Sequence, residues 1–273
     1  MVSEGFIRVS KTRPRRRDSL AANRPSTHEV KPMIASLSSL RIRPSIVIPV
    51  AILMAAIAVI GFWRTYFGAL FAGHSQAEWL IHVHAAIFMG WIGLVILQSY
   101  LAISGRTALH VTVGRIGMMY GAVLVASGLA FATIMFSRRV AAVGVDGVKG
   151  GFLVPLTDML TFSIFLIGAW HTRKRPESHR RFILLATNTL LVAAVGRASG
   201  GTSSVAPGDV MPFLLIWLSP LWIAMLYDGV RHRMVHPVYA WGALLLIALR
   251  YRQLLRETDT WMAISHWVAE RLA

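Results

Sequence analysis

The chain has 273 residues, 55% of them hydrophobic and only 15% charged, with a formal net charge of +16. A charged fraction so far below the roughly 25% of soluble domains excludes an ordinary soluble fold and points to a lipid bilayer as solvent. There is no cysteine, which excludes disulfides, thiolate metal ligands and cysteine nucleophiles.

Residues 1–43 carry ten Lys/Arg against Glu4, Asp18 and Glu29, with few apolar residues. Such a segment buries too little apolar surface to fold, so a disordered basic tail is expected. Its partner is expected to be anionic lipid headgroups and not nucleic acid, because most other cations also sit in short loops between apolar runs. The basic block is remote from the first apolar run, and that run is too long for a signal peptide. Met33 stands just ahead of that run, and a start there would leave residues 1–32 out of the expressed protein.

Twenty uncharged residues separate Arg43 from Arg64, twenty-seven separate Glu78 from Arg106, and twenty-two separate Arg115 from Arg138. A helix of about 20 apolar residues crosses a hydrocarbon core. The expected fold is all-α: a polytopic transmembrane bundle over residues 44–257 with about seven spans. These lie near 45–63, 78–102, 113–137, 151–171, 181–200, 210–228 and 236–255. Pro220 should kink the sixth. In the seventh only sixteen residues separate Arg233 from Arg250, so Arg250 and Arg252 are expected to snorkel to the far interface. The glycine-rich Val143–Gly151 stretch reads as a flexible loop. Residues 258–273, with Trp261, Ile264, Trp267 and Val268 at helical spacing, read as an interfacial amphipathic helix. The loop Lys/Arg bias places the N-terminus in the cytoplasm and the C-terminus outside, with Trp63, Trp79, Trp170 and Trp241 near span ends.

Polar residues inside spans mark sites. His82 and His84 point some 200° apart on one helix, so they cannot serve one ion together. His84, Trp91 and Gln98, spaced by seven, form a stripe that should face protein or water and not lipid. Asp158 and Arg197 fall at matching outer depth, with Asn188 deeper. Pairing Asp158 with Arg197 would offset much of the cost of burying each. These seven residues are the candidate ligand-binding or proton-handling set. His110, His171 and His179 lie at inner helix ends and are candidate ligands of a haem b. Gly117-Met-Met-Tyr-Gly121 is expected to seat a neighbouring helix closely. No zinc-protease, P-loop or nucleophile-elbow motif is present.

His82-Val-His84-Ala85 with Trp91, Gln98 and Gly105-Arg106 is one of three quotable motifs. The others are Arg175-Pro-Glu-Ser-His179-Arg-Arg and Leu226-Tyr-Asp228 with His236-Pro237. Together they resemble a family of uncharacterised bacterial multipass membrane proteins and, more distantly, a four-helix membrane domain of unknown function. That resemblance covers roughly residues 45–270 and implies a bacterial inner-membrane location. The chain is also similar to the cytochrome b561-like bundle, but its outer half lacks a facing histidine pair. A single inner haem, through His110 with His179 or His171, stays open. Three readings follow: an outer polar pocket for a small ligand or lipid, a haem-b or quinone-linked redox protein, and a proton-coupled transporter.

Overall fold

The structure, a computed structural model, describes residues 45–200 and 207–272; the basic tail expected over residues 1–43 lies outside them. The regular elements among the described residues are all helical and belong to one compact unit, Arg43–Ala273. α1 (Val47–Gly61) runs through a π-helical turn, Trp63–Phe67, into the short α2 (Gly68–Phe71). α3 (Trp79–Ile103) and α4 (Thr107–Val148) form one antiparallel hairpin, and α5 (Leu153–His171) and α6 (Pro176–Ala198) form another. α7 (Pro207–Trp217) and α8 (Ser219–His232) follow, then α9 (Pro237–Arg250), a 3-10 turn over Tyr251–Leu255, and α10 (Asp259–Leu272).

α3 to α6 are each long and apolar enough to cross a membrane, and the total reaches six if α1–α2 and α7–α8 each count as one bent span. The bends are 54° and 62°. The second falls where Pro220 opens α8, since proline supplies no N–H to the helix ladder. α9 has 14 residues, short of the roughly 17 a span needs. Each apolar stretch read from the sequence is thus a helix, but the seventh is below crossing length by itself.

α6 is the hub: it packs against α5, α1, α9, α7, α8 and α3. Its most apolar stretch has a mean hydropathy of 1.3 and is 56% buried, whereas that of α3 has 2.1 and is 17% buried. The trend has a physical cause. A helix facing lipid needs apolar side chains, while one surrounded by protein carries polar groups that its neighbours answer. Arg181, Thr187, Asn188 and Thr189 are accordingly all buried on α6.

The glycines of α4 seat its neighbours, as the G-x-x-x-G spacing led us to expect. A Cβ at Gly121 would lie 2.6 Å from Leu166 of α5 and 3.2 Å from Trp91 of α3. Tyr120 Oη donates to the Ile87 carbonyl (2.8 Å) and locks α3 to α4. α4 is longer than the apolar stretch at 113–137, because charge does not end a helix. It departs from helical geometry only at Gly144, whose φ is +74°. The Val143–Gly151 stretch is therefore mostly ordered helix and turn, and not the free loop expected. Lys149 and Gly150 turn there with positive φ, and the segment from Arg256 to α10 packs on them.

The close seat at Gly121 makes a graded outcome. Gly121→Val should destabilise the detergent-solubilised protein by about 1–3 kcal/mol through overpacking. Gly93→Ala, where nothing lies within 4 Å, should leave stability unchanged or raise it by up to about 1 kcal/mol. Thermal unfolding of both variants checks this, and equal midpoints would contradict the packing.

Candidate functional site

Trp91 Nε1 donates to Thr187 Oγ1 (3.1 Å), and its ring meets Phe162 edge-on at 5.1 Å. Positions 91, 162 and 187 therefore mark one level across α3, α5 and α6. Asn188 sits at nearly that level. At 1.5 Å per residue, Asp158 lies about 6 Å, His84 about 10 Å and Arg197 about 15 Å toward the Trp79 end of the bundle. The expected depth match holds only loosely, and lateral position then separates the residues.

Asp158 does not pair with Arg197. Its Oδ1 accepts a 2.6 Å hydrogen bond from Nη2 of Arg252, with both residues 7% exposed. Arg252 therefore does not snorkel outward; it turns back into the bundle from the 3-10 segment. Arg250 also stays inside, 4% exposed, with its guanidinium 4.4 Å from the centre of the Phe213 ring. The physical reason is the unanswered carboxylate: a buried Asp158 makes the interior more favourable to a cation than the lipid interface is. Arg197 lies over the Phe62 ring at 4.8 Å.

The second-span histidines face different neighbours, as their spacing requires. His82 Nδ1 is 2.8 Å from Tyr66 Oη, on the π-helical turn. His84 is held between Phe88 (4.3 Å) and Phe131 (4.1 Å, near-parallel), with its Nδ1 buried and without a hydrogen-bond partner. His84, Trp91 and Gln98 do face protein along one stripe. His82, His84, Asp158 and Arg197 do not form one cluster: His82 meets Tyr66, His84 the two phenylalanines, Asp158 Arg252 and Arg197 Phe62, although Arg197 is close enough to His84 to interact with it electrostatically.

Asn188 is fully buried. Its backbone oxygen accepts from Trp217 Nε1 (2.9 Å), while its side-chain Oδ1 and Nδ2 have no partner. Arg252 Nε and Nη1 are likewise buried without partners. On the α5–α6 hairpin, held by the Phe165–Phe182 ring contact, Asn188 lies within about one helical turn of Asp158 in depth.

At the Ile103 end, His110 Nδ1 is 3.1 Å from the Gln98 carbonyl, and His179 Nδ1 is 2.8 Å from the Ala169 carbonyl. The Gln98 amide oxygen accepts from Gly114 N–H at 2.7 Å. His171 is exposed at the helix end, apart from this pair. Among the described residues, no three His, Asp or Glu side chains converge to hold a metal ion.

Sequence reasoning passed over a second buried ion pair. Arg181 donates from Nε to Asp228 Oδ2 (2.8 Å), with its Nη2 2.7 Å from the same oxygen. Its Nη1 reaches the Glu177 carboxylate at 2.8 Å, and Tyr239 lies 5.5 Å under the guanidinium. His236 caps α9 by accepting from Val238 N–H (3.2 Å). The signal was in the sequence: Glu177, Arg181, Asp228 and His236 all belong to the motifs quoted for the family resemblance.

Two surface hollows, of about 380 and 220 Å³, lie beside Arg138–Ala269 and Gly90–Tyr120; none of the expected site residues lines either.

A buried pair costs most when half of it is removed. Asp158→Asn or Arg252→Gln alone should each destabilise by about 3–5 kcal/mol, and the double variant by clearly less than the sum. A double-mutant cycle on thermal or denaturant unfolding reads the coupling; additive losses would show that the two do not interact. Compared with known proteins, the chain matches no family model, no curated protein and no solved structure.

Proposed function

We propose that the protein resides in the bacterial inner membrane, with about seven crossings and a cytoplasmic N-terminus, and holds a small polar ligand or lipid headgroup in the outer half of its bundle. The site is the layer of Asp158, Asn188 and Arg252. The loop cations support the orientation and an attraction to anionic lipid. α9 and the 3-10 turn that continues it support the seventh crossing: together they carry the chain from Tyr239, beside Arg181, to the level of Asp158.

The observation that carries this reading is the set of unmet polar atoms in that layer. Native proteins satisfy almost all buried polar groups, with protein, water or ligand. Here an amide and a guanidinium lie unanswered at the depth of a carboxylate. Between them they offer donors and acceptors, the complement of a small polar molecule.

Asn188→Leu separates this from a structural role. A dry amide is costly, so its removal would raise stability by about 1–3 kcal/mol if nothing binds. We expect no such gain; native mass spectrometry should show a bound molecule on the wild type that the variant loses. A stabilised variant beside a wild type with no bound mass would sink the proposal.

A second reading, a haem-b or quinone-linked redox protein, draws on His110 and His179. The two imidazoles lie close enough to interact, and His179 presents Nδ1 to a backbone carbonyl, which fixes a ligating imidazole and leaves Nε2 for iron, whereas His110 Nδ1 also accepts from the Gln98 side-chain amide. This reading expects a Soret band, shifted by dithionite, in protein purified from haem-supplied cells and absent in His110→Ala/His179→Ala. A featureless wild-type spectrum rejects haem.

A further inference from the structure

We infer that Asp158 recognises a small organic cation of guanidinium or ammonium type, and that Arg252 is a tethered substitute for it on a C-terminal strap, Tyr251–Leu272. The inference rests on the ligand-binding reading above and names the chemistry of that site.

Among the described residues the fold holds two buried arginine–aspartate pairs, and they differ in one respect. Arg181 is answered on all three nitrogens: Nε and Nη2 by Asp228, Nη1 by Glu177. That is how a permanent guanidinium partner is accommodated. Arg252 is answered on Nη2 alone, and Nε and Nη1 are buried without partners. The carboxylate is matched for charge but its partner is poorly housed. A free cation that sheds this misfit competes with Arg252 on favourable terms.

The segment that carries Arg252 is also lightly held. It leaves α9 as a 3-10 turn, whose hydrogen-bond geometry is poorer than that of an α-helix. In α10 the buried residue is Ser265. The strap meets the turn after α4 through Arg256 Nε on the Lys149 carbonyl (3.1 Å), Trp261 Nε1 on the Gly150 carbonyl (3.2 Å), His266 on Asp146 (3.1 Å) and Lys149 on Glu257 (3.5 Å). The last two are exposed polar contacts, which contribute little. Segments with few buried apolar contacts are the first to open. When the strap lifts, Arg252 leaves with it and Asp158 is a bare carboxylate.

Chemical rescue tests this on the full chain in detergent. Arg252→Ala should lower the unfolding midpoint, and millimolar methylguanidinium should restore most of the loss. Sodium chloride at equal concentration should not, nor should methylguanidinium restore Asp158→Asn/Arg252→Ala. No recovery of Arg252→Ala overturns the inference. A second measurement does not depend on that variant folding. The chain has no cysteine, so Ser265→Cys places a single thiol under the strap. Methylguanidinium should raise its maleimide labelling rate severalfold, and an unchanged rate overturns the inference. A molecule retained by the wild type and lost in Asn188→Leu, together with failed rescue, would reject the cation and leave the ligand-binding reading standing.

Discussion

A charge inside a bundle of apolar helices must be answered by another charge, because moving an ion out of water costs several kcal/mol even after relaxation. Asp158, Arg181, Asp228 and Arg252 are all buried, and much of the chain path serves their pairing. The bend before Ser219 directs α8 so that Asp228 meets Arg181. The short α9 then returns the chain so that Arg252 meets Asp158. The central position of α6 follows from the same constraint, since it is the helix whose polar side chains need neighbours on every side.

The two pairs sit in different layers, tied together by the α5–α6 hairpin, and the layers differ in character. Around Arg181 every guanidinium nitrogen is met, α9 is capped by His236, and an aromatic ring lies under the cation. That layer has the completeness of a structural joint. Around Asp158 the hydrogen bonding is incomplete, and Asn188, also unmet, lies within about one helical turn of it in depth. Incomplete satisfaction in an otherwise well-packed bundle is where binding or movement is expected, because the structure gains by changing there.

Much of this was legible in the sequence because lipid is a demanding solvent. Charge-free stretches identified the helices, and the seven-residue spacing of His84, Trp91 and Gln98 identified the inward face of α3. What depth arithmetic cannot supply is azimuth. Arg197 and Arg252 both fall toward the end of the bundle where Asp158 lies, and only the packing of α9 and the following turn decides which of them meets it. The arginines after a short apolar run read as snorkelling because that is their usual fate near an interface; a buried carboxylate reverses the preference. Arg181 and Asp228 were passed over because each lies near a span end, where charge ordinarily needs no partner.

α4 has a consequence for where the strap lives. Up to Gly144 it is about 55 Å long at 1.5 Å per residue, against roughly 30 Å of hydrocarbon. Absorbing the difference by tilt would need an inclination well beyond the usual 0–40° range. A helix of that length outruns the hydrocarbon core, and the turn at Lys149 and Gly150 that receives Arg256 and Trp261 comes just before Leu153 opens α5, itself a helix of crossing length. The strap is thus fastened at a helix end, where salt and soluble molecules reach it, while the carboxylate it serves is buried.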